Sequence, residues 1–165
     1  MELVLTVNGR EVQADVEPQV LLLDFLRDRL GLTGAKRSCD VQVCGTCTVL
    51  VDGAPVSACT YLAVDADGRT VLTIEGMTET AEFAEMEAAF IRHAALQCGY
   101  CTPGLLLTVK SLRDAGELRS AEDIRHGLDG NLCRCTGYRS ILAAVAELAG
   151  LPAGAIEGHA EEAAA

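Results

Sequence analysis

The sequence predicts an α+β fold in which a small mixed sheet is followed by a set of helices. Two observations carry this. Apolar residues recur with a period of two as far as Gly76 and at spacings of three and four after it. The eight cysteines divide four and four between the same two halves. At about 100–200 residues per domain, the 165 residues make one domain or two small ones sharing a core, which excludes a large single barrel.

The elements follow in order. Leu3, Leu5 and Val7 fall on one face of a strand, Asn8-Gly9 tolerates the positive φ of a tight turn, and Val12, Ala14 and Val16 return on one face, which predicts a β-hairpin. Val20 to Leu30 is helical in character, with Gly31 as terminator. Residues 31–47 hold three cysteines and three glycines without periodicity and read as a loop folded around something. Thr48–Val51, the Asp52-Gly53 turn and an apolar return to Cys59 predict a second hairpin, and Thr70–Ile74 another strand. Beyond Gly76, Phe83, Met86, Phe90 and Ala94 line one face of a helix ending near Cys98, with Met86 and Phe90 as core. Thr102 as N-cap with Pro103 at the first helical position opens a second helix that Gly116 closes. Ser120 with Asp123 resembles a capping box for a third, and Tyr138–Ala149 is a fourth, stopped by Gly150. The second half is therefore expected to be a four-helix bundle. Residues 151–165 carry three Glu and one His among Ala, Gly and Pro, and predict a mobile tail.

Composition narrows the function. Hydrophobic residues are 50% of the chain but aromatics only 4%, with no Trp, so stacking surfaces for bases or sugars are not expected. Thirteen Lys and Arg against 24 Asp and Glu leave a net charge of −11, which repels nucleic acid and anionic membranes. The partners should be proteins or cofactors. Met1-Glu2-Leu3-Val4 lacks the basic start of a secretory signal, and no apolar run approaches the roughly 18 residues of a membrane span. A soluble protein of a reducing cytoplasm is expected, where cysteines serve as metal ligands or redox groups more often than as disulfides.

The first set is Cys39-x4-Cys44-x2-Cys47 followed by Cys59, and its opening spacing is that of plant-type [2Fe–2S] ferredoxins. A loop giving three thiolates can wrap one face of a flat two-iron rhomb while Cys59 closes the other side, and glycine lets backbone N–H groups approach the sulfides. The second set is Cys98-x2-Cys101 with Cys133-x-Cys135, each pair where a helix starts or stops. Helix N-termini favour an assembly carrying about −2 formal charge. Arg134 lies between two of these cysteines, and Lys36 and Arg37 precede the first loop; they are either charges set against the clusters or ordinary surface cations. Two zinc sites would favour paired Cys-x2-Cys knuckles, of which only one isolated pair exists. Disulfides lack an export signal, and Cys133 and Cys135 bridge poorly to each other. A Rieske centre needs two His ligands, and His93, His126 and His159 lie away from the cysteine pairs, as surface or packing residues.

CDVQVCGTCTVLVDG from Cys39, QCGYCTPG from Gln97 and GNLCRCTGY from Gly130 resemble the iron–sulfur subunit of the xanthine dehydrogenase and carbon monoxide dehydrogenase family, the molybdenum hydroxylases. The resemblance runs from about Leu3 to about Leu148. It implies a β-grasp, plant-type ferredoxin-like domain over residues 1–77 and a helical [2Fe–2S] domain over 78–150. It implies that Cys39, Cys44, Cys47 and Cys59 ligate the cluster nearer a flavin. Cys98, Cys101, Cys133 and Cys135 would ligate the cluster nearer a molybdopterin, with Gln97 and Cys135 as contacts on the pterin side. The chain departs from the xanthine dehydrogenase pattern at Ser38, Val41-Gln42-Val43 and Thr46, which bears on the path of the first loop. Because it ends where the iron–sulfur part ends, it is expected to be the small, non-catalytic subunit of a complex. Its partners would be a medium subunit with FAD and a large subunit with molybdopterin in its cytosine dinucleotide form, and its role to pass electrons singly from one to the other. The rival expectations are a free-standing electron-carrier ferredoxin and a zinc-stabilised interaction module.

Overall fold

The computed structural model describes residues 1–152 and 154–156. Strands β1 (Glu2–Val7) and β2 (Arg10–Asp15) pair antiparallel with Leu5 opposite Val12. Their turn is Asn8-Gly9, with φ of 51° and 77°, the pair of left-handed residues that a two-residue hairpin turn needs. Asn8 also leaves the hairpin: its Oδ1 accepts the Thr73 N–H at 2.9 Å and its Nδ2 donates to Thr73 Oγ1 at 2.9 Å. Strands β3 (Thr48–Val51) and β4 (Ala54–Ser57) form the second expected hairpin around Asp52-Gly53. β5 (Thr70–Leu72) lies between the two hairpins, parallel to β1 and antiparallel to β3, giving the order β2-β1-β5-β3-β4. The mixed sheet followed by helices is the α+β class expected.

Three local expectations are corrected. The helix over Val20–Leu30 is one α-helical turn, α1 (Leu22–Asp24), that widens into a π-helical turn over Phe25–Arg29 closed by the Leu30 N–H on the Phe25 carbonyl at 3.2 Å. Leu22, Leu23, Phe25 and Leu26, at spacings of one, three and four, are all buried on its inner face. The fifth strand stops at Leu72 because Asn8 holds Thr73, and Ile74–Met77 is instead a short helix, α2. Cys101, not Thr102, is the N-cap of α4 (Thr102–Asp114): its carbonyl already accepts the Leu105 N–H at 3.1 Å. The remaining helices are α3 (Ala81–Arg92), α5 (Ala121–Gly127), which Ser120 Oγ caps by accepting the Asp123 N–H at 3.1 Å, and α6 (Arg139–Leu148).

The halves are joined through β3, which is buried along its whole length. Strand side chains alternate faces. Val49 and Val51 therefore join Leu3, Leu5 and Phe25 in one apolar cluster, while Leu50 joins Met86, Phe90 and Leu105 in the other. α4 packs across that second face of β3, and α2 packs on α4, so that Ile74 and Met77 belong to the helical core. Leu151 and Ile156 are partly buried against the same core, and Arg125 Nη2 donates to the Ile156 carbonyl at 2.9 Å. The stretch just after α6 is thus held rather than free; the rest of the expected tail, residues 153 and 157–165, lies outside the described residues. Among those described, no helix is long and apolar enough to cross a membrane.

One close approach between the halves is backbone to backbone. A Cβ on Gly104, in the first turn of α4, would stand 2.1 Å from the Gly45 carbonyl oxygen. Neither backbone can retreat without moving α4 off β3. Gly104→Ala is expected to lower stability by about 1–3 kcal/mol, the range of core overpacking, seen as a lower urea midpoint at unchanged slope.

Candidate metal centres

Cys39, Cys44 and Cys47 lie on the loop between the π-helical turn and β3, and Cys59 follows β4. Two non-glycine residues of that loop, Asp40 and Gln42, take φ of 55° and 59°. The coil they impose aims the N–H groups of Val41, Val43 and Cys44 at the Cys39 sulfur, with Val43 N at 3.4 Å. Three donors on one sulfur favour its anion, and the Cys39 thiol is held down at about 6. Cys47 and Cys59 are 2% and 3% exposed, facing the sheet core. Burial, with the neighbouring Cys59 thiol adding to it, pushes Cys47 up to about 12. Cys44 is buried too, its sulfur 3.3 Å from Thr46 Oγ1.

The second set repeats this arrangement. Cys98 and Cys101 lie between α3 and α4, Cys133 and Cys135 between α5 and α6. Cys98 and Cys135 are exposed, with sulfurs 3.5 Å apart. The Tyr100 N–H and the Cys135 thiol lower the Cys98 pKa, and Cys98 in turn raises that of Cys135. Deeper in, burial and the adjacent Cys133 push Cys101 up to about 12. Burial works against the Cys133 anion too, but hydrogen bonds from the Thr136 hydroxyl, at 3.1 Å, and from the Thr136 and Cys135 N–H groups outweigh it and hold Cys133 below its usual range. Tyr138 braces this loop. Held at φ 68° at the start of α6, it accepts the Cys133 N–H at 2.9 Å and donates its hydroxyl to the Asn131 carbonyl at 3.0 Å. Gln97 Nε2 donates to the Cys135 carbonyl at 3.2 Å.

In both sets the sulfurs fall into two pairs: Cys39 with Cys44 and Cys47 with Cys59, then Cys98 with Cys135 and Cys101 with Cys133. A two-iron cluster takes two thiolates at each iron, so two separated pairs fit it. A tetrahedral zinc would need four donors converging on one point, and among the described residues no three of His, Cys, Asp and Glu do so.

The two sets meet. The Leu132 N–H, one residue before Cys133, donates to the Cys44 carbonyl at 2.9 Å. The Gly45 carbonyl takes the Thr48 N–H and hydroxyl, at 3.2 and 2.8 Å, and the amide of buried Asn131 at 3.3 Å. A cavity of about 520 Å³ is lined by the four cysteines of the second set and also by Cys44. His93 pairs with Glu147 at 2.7 Å and His126 with Asp129 at 3.2 Å, away from the sulfurs; His159 lies outside the described residues. Arg37 is paired with Asp24 and Asp40, a surface cation, and Arg134 is exposed. Large apolar side chains are exposed beside the outer cysteines: Val41 and Val43 near Cys39, and Leu96, Tyr100 and Leu132 near Cys98 and Cys135.

Residues 5–73 match a family described as a 2Fe-2S iron-sulfur cluster binding domain, and residues 73–146 one described as a [2Fe-2S] binding domain. The nicotinate dehydrogenase small FeS subunit of Eubacterium barkeri is 45% identical over 141 residues, covering 86% of this chain and 90% of that one. The chain belongs to the small iron–sulfur subunits of the molybdenum hydroxylases. Caffeine dehydrogenase subunit gamma of Pseudomonas sp. strain CBB1 is 43% identical over 144 residues, covering 86% of each chain. The solved structure of quinoline 2-oxidoreductase from Pseudomonas putida 86 superposes with a TM-score of 0.84 at 43% identity, covering 90% of this chain and 92% of that one. Within this family the chain is a non-catalytic electron-transfer subunit of an oxidoreductase, with iron–sulfur clusters as its cofactors.

Sequence reasoning did not find Tyr138, Asn131 or the Gly45–Gly104 contact. GNLCRCTGY contains the first two, but nothing local indicates that the tyrosine hydroxyl turns back seven residues or that the asparagine reaches the other loop. The exposed pair gives a direct test of the sulfur arrangement. In metal-free protein under mild oxidant, Cys98 and Cys135 are expected to be the first disulfide formed, with Cys47 and Cys101 last to react, as read by alkylation and peptide mapping.

Proposed function

We propose that Cys39, Cys44, Cys47 and Cys59 hold one [2Fe–2S] cluster and Cys98, Cys101, Cys133 and Cys135 a second, residues 1–77 and 78–150 forming their two modules. Bound there, each cluster supplies a one-electron carrier between a molybdopterin on a large partner subunit, in its cytosine dinucleotide form, and FAD on a medium one. The observation that carries this reading is the Leu132 N–H to Cys44 carbonyl hydrogen bond. It leaves one covalently bonded residue junction and one hydrogen bond between a ligand of the first set and a ligand of the second. Cys44 at the wall of the second cavity makes the same connection through space. The protein's part is to hold eight thiolates, direct N–H groups at Cys39 and Cys98, keep Cys47 and Cys59 away from water and cover Cys101 in part, all of which set potentials.

The exposed apolar residues bear on the partners. Leu96, Tyr100 and Leu132 around Cys98 and Cys135, with Gln97 and Cys135 themselves, suit a face covered by the molybdenum subunit. Val41 and Val43 around Cys39 suit one covered by the flavin subunit. A free-standing carrier would gain nothing from leaving apolar side chains at both cluster mouths.

Fully loaded protein is expected to contain four irons and four labile sulfides per chain; zinc, or two irons at full loading, overturns the assignment. In the assembled complex, Cys44→Ser is expected to leave the helical-side cluster reducible by substrate while the flavin stays oxidised, and Cys98→Ser to stop reduction of both the sheet-side cluster and the flavin. Paramagnetic resonance of substrate-reduced complexes reads the two signals. Reduction of the sheet-side cluster in a Cys98 variant lacking the other cluster would refute the ordered route, and elution of loaded chain as an isolated monomer from gently lysed cells would favour the free carrier.

A further inference from the structure

The chain has two lysines, and their surroundings are opposite. Lys110 is partly buried on α4 and paired, its Nζ 2.7 Å from Glu82 and 3.0 Å from Asp114. Burial works against its charge, and those two carboxylates more than offset it, raising its pKa. Lys36 is also partly buried, yet among the described residues no carboxylate lies within ion-pair distance of its Nζ. Its contacts are the Gly34 carbonyl at 2.9 Å and the Tyr100 ring, 5.7 Å to the centroid. The carboxylate whose charge it feels, Glu75, is occupied by the Gly34 N–H at 2.7 Å and the Thr73 hydroxyl at 2.6 Å, and Arg27 adds a like charge. Burial consequently lowers the Lys36 pKa. A partly buried cation without a counter-charge is costly, and buried charges are ordinarily paired.

Its position says where the counter-charge lies. The Lys36 backbone is fastened to the first cysteine loop on both sides: its N–H donates to the Thr46 carbonyl at 2.9 Å and its carbonyl accepts the Thr46 hydroxyl at 3.1 Å, and that hydroxyl oxygen is 3.3 Å from Cys44 Sγ. Its ammonium is laid on Tyr100, which belongs to the second set. Tyr100 sits between Cys98 and Cys101, gives its N–H to Cys98, and donates its hydroxyl to the Arg37 carbonyl at 2.6 Å.

We infer that Lys36 is a fixed counter-charge shared by the two cysteine sites, a positioning residue that raises the reduction potential of the helical-side cluster by stabilising the negative charge each added electron brings. This rests on the two-cluster reading above. Tyr100 is its seat: the ring face attracts the ammonium and keeps it from turning out to water, where screening would cancel its effect. Arg37, the adjacent cation, cannot substitute, since Asp24 and Asp40 already neutralise it.

Iron and sulfide are measured first on the wild-type complex; their absence sinks the two-cluster reading itself, not the role of Lys36. With clusters present, potentiometric titration followed by paramagnetic resonance is run on the Lys36→Met, Lys36→Gln and Lys36→Arg complexes. The neutral variants are expected to make one-electron reduction of the helical-side cluster about tenfold less favourable, 59 mV lower for a one-electron couple, with a smaller fall at the sheet-side cluster. Lys36→Arg keeps the wild-type values. Unchanged potentials in the loaded neutral variants, or an equal fall in Lys36→Arg, overturn the inference. If neither neutral variant retains iron, retention by Lys36→Arg alone supports a requirement for charge, and loss in all three overturns it.

Discussion

The carbonyl of Gly45 is the point on which the arrangement turns. It lies inside the first cysteine loop, takes three donors, two from Thr48 and one from Asn131, and is approached by α4 so closely that residue 104 can carry no side chain. The Thr48 bonds fix the loop to the start of β3, the Asn131 bond fixes it to the loop carrying Cys133 and Cys135, and the glycine on α4 brings up the helix whose N-terminus carries Cys101. One oxygen thereby sets the relative position of sulfurs on loops that are far apart in sequence, from Cys39 to Cys135. Leu132 and Cys44 come into register beside it and share a hydrogen bond.

Both sites grade from outside to inside. An outer cysteine with N–H donors aimed at its sulfur, half-buried Cys39 or exposed Cys98, stands at the mouth, and one that resists ionisation, buried Cys47 or half-buried Cys101, further in. Desolvation and hydrogen bonding act in opposite directions on a thiol, so the gradient is a direct reading of which effect wins at each depth. It also gives an order to filling: outer thiolates can capture metal first, and the inner ones lose their protons only as the positive charge arrives.

Much of this was legible in the sequence. Asn8-Gly9 and Asp52-Gly53 are hairpin turns for reasons confined to four residues, and Ser120 caps its helix as its spacing with Asp123 announces. The division of cysteines and the mixed sheet followed by helices were equally open to reading, because spacing and periodicity are local properties. What was not legible depends on distant partners. Thr73 breaks a strand because Asn8, sixty-five residues earlier, holds it. Tyr138 enters a left-handed conformation where its hydroxyl reaches back to the Cys133 N–H. Lys36 and Arg37, adjacent and alike in sequence, were separable only once Asp24 and Asp40 were seen to claim one of them.

The two-faced burial of β3 reaches beyond packing. The family matches meet at residue 73, so the chain looks divisible into two modules that could be moved about independently. Four residues of strand deny this. Leu50 needs the helices to cover it, Val49 and Val51 need the sheet's own helical turn, and Ile74 and Met77 sit on the far side of the join from the sequence that leads to them. Melting either half strips one wall from the other, so a shared strand of this kind couples the stability of the two motifs, whatever their separate histories.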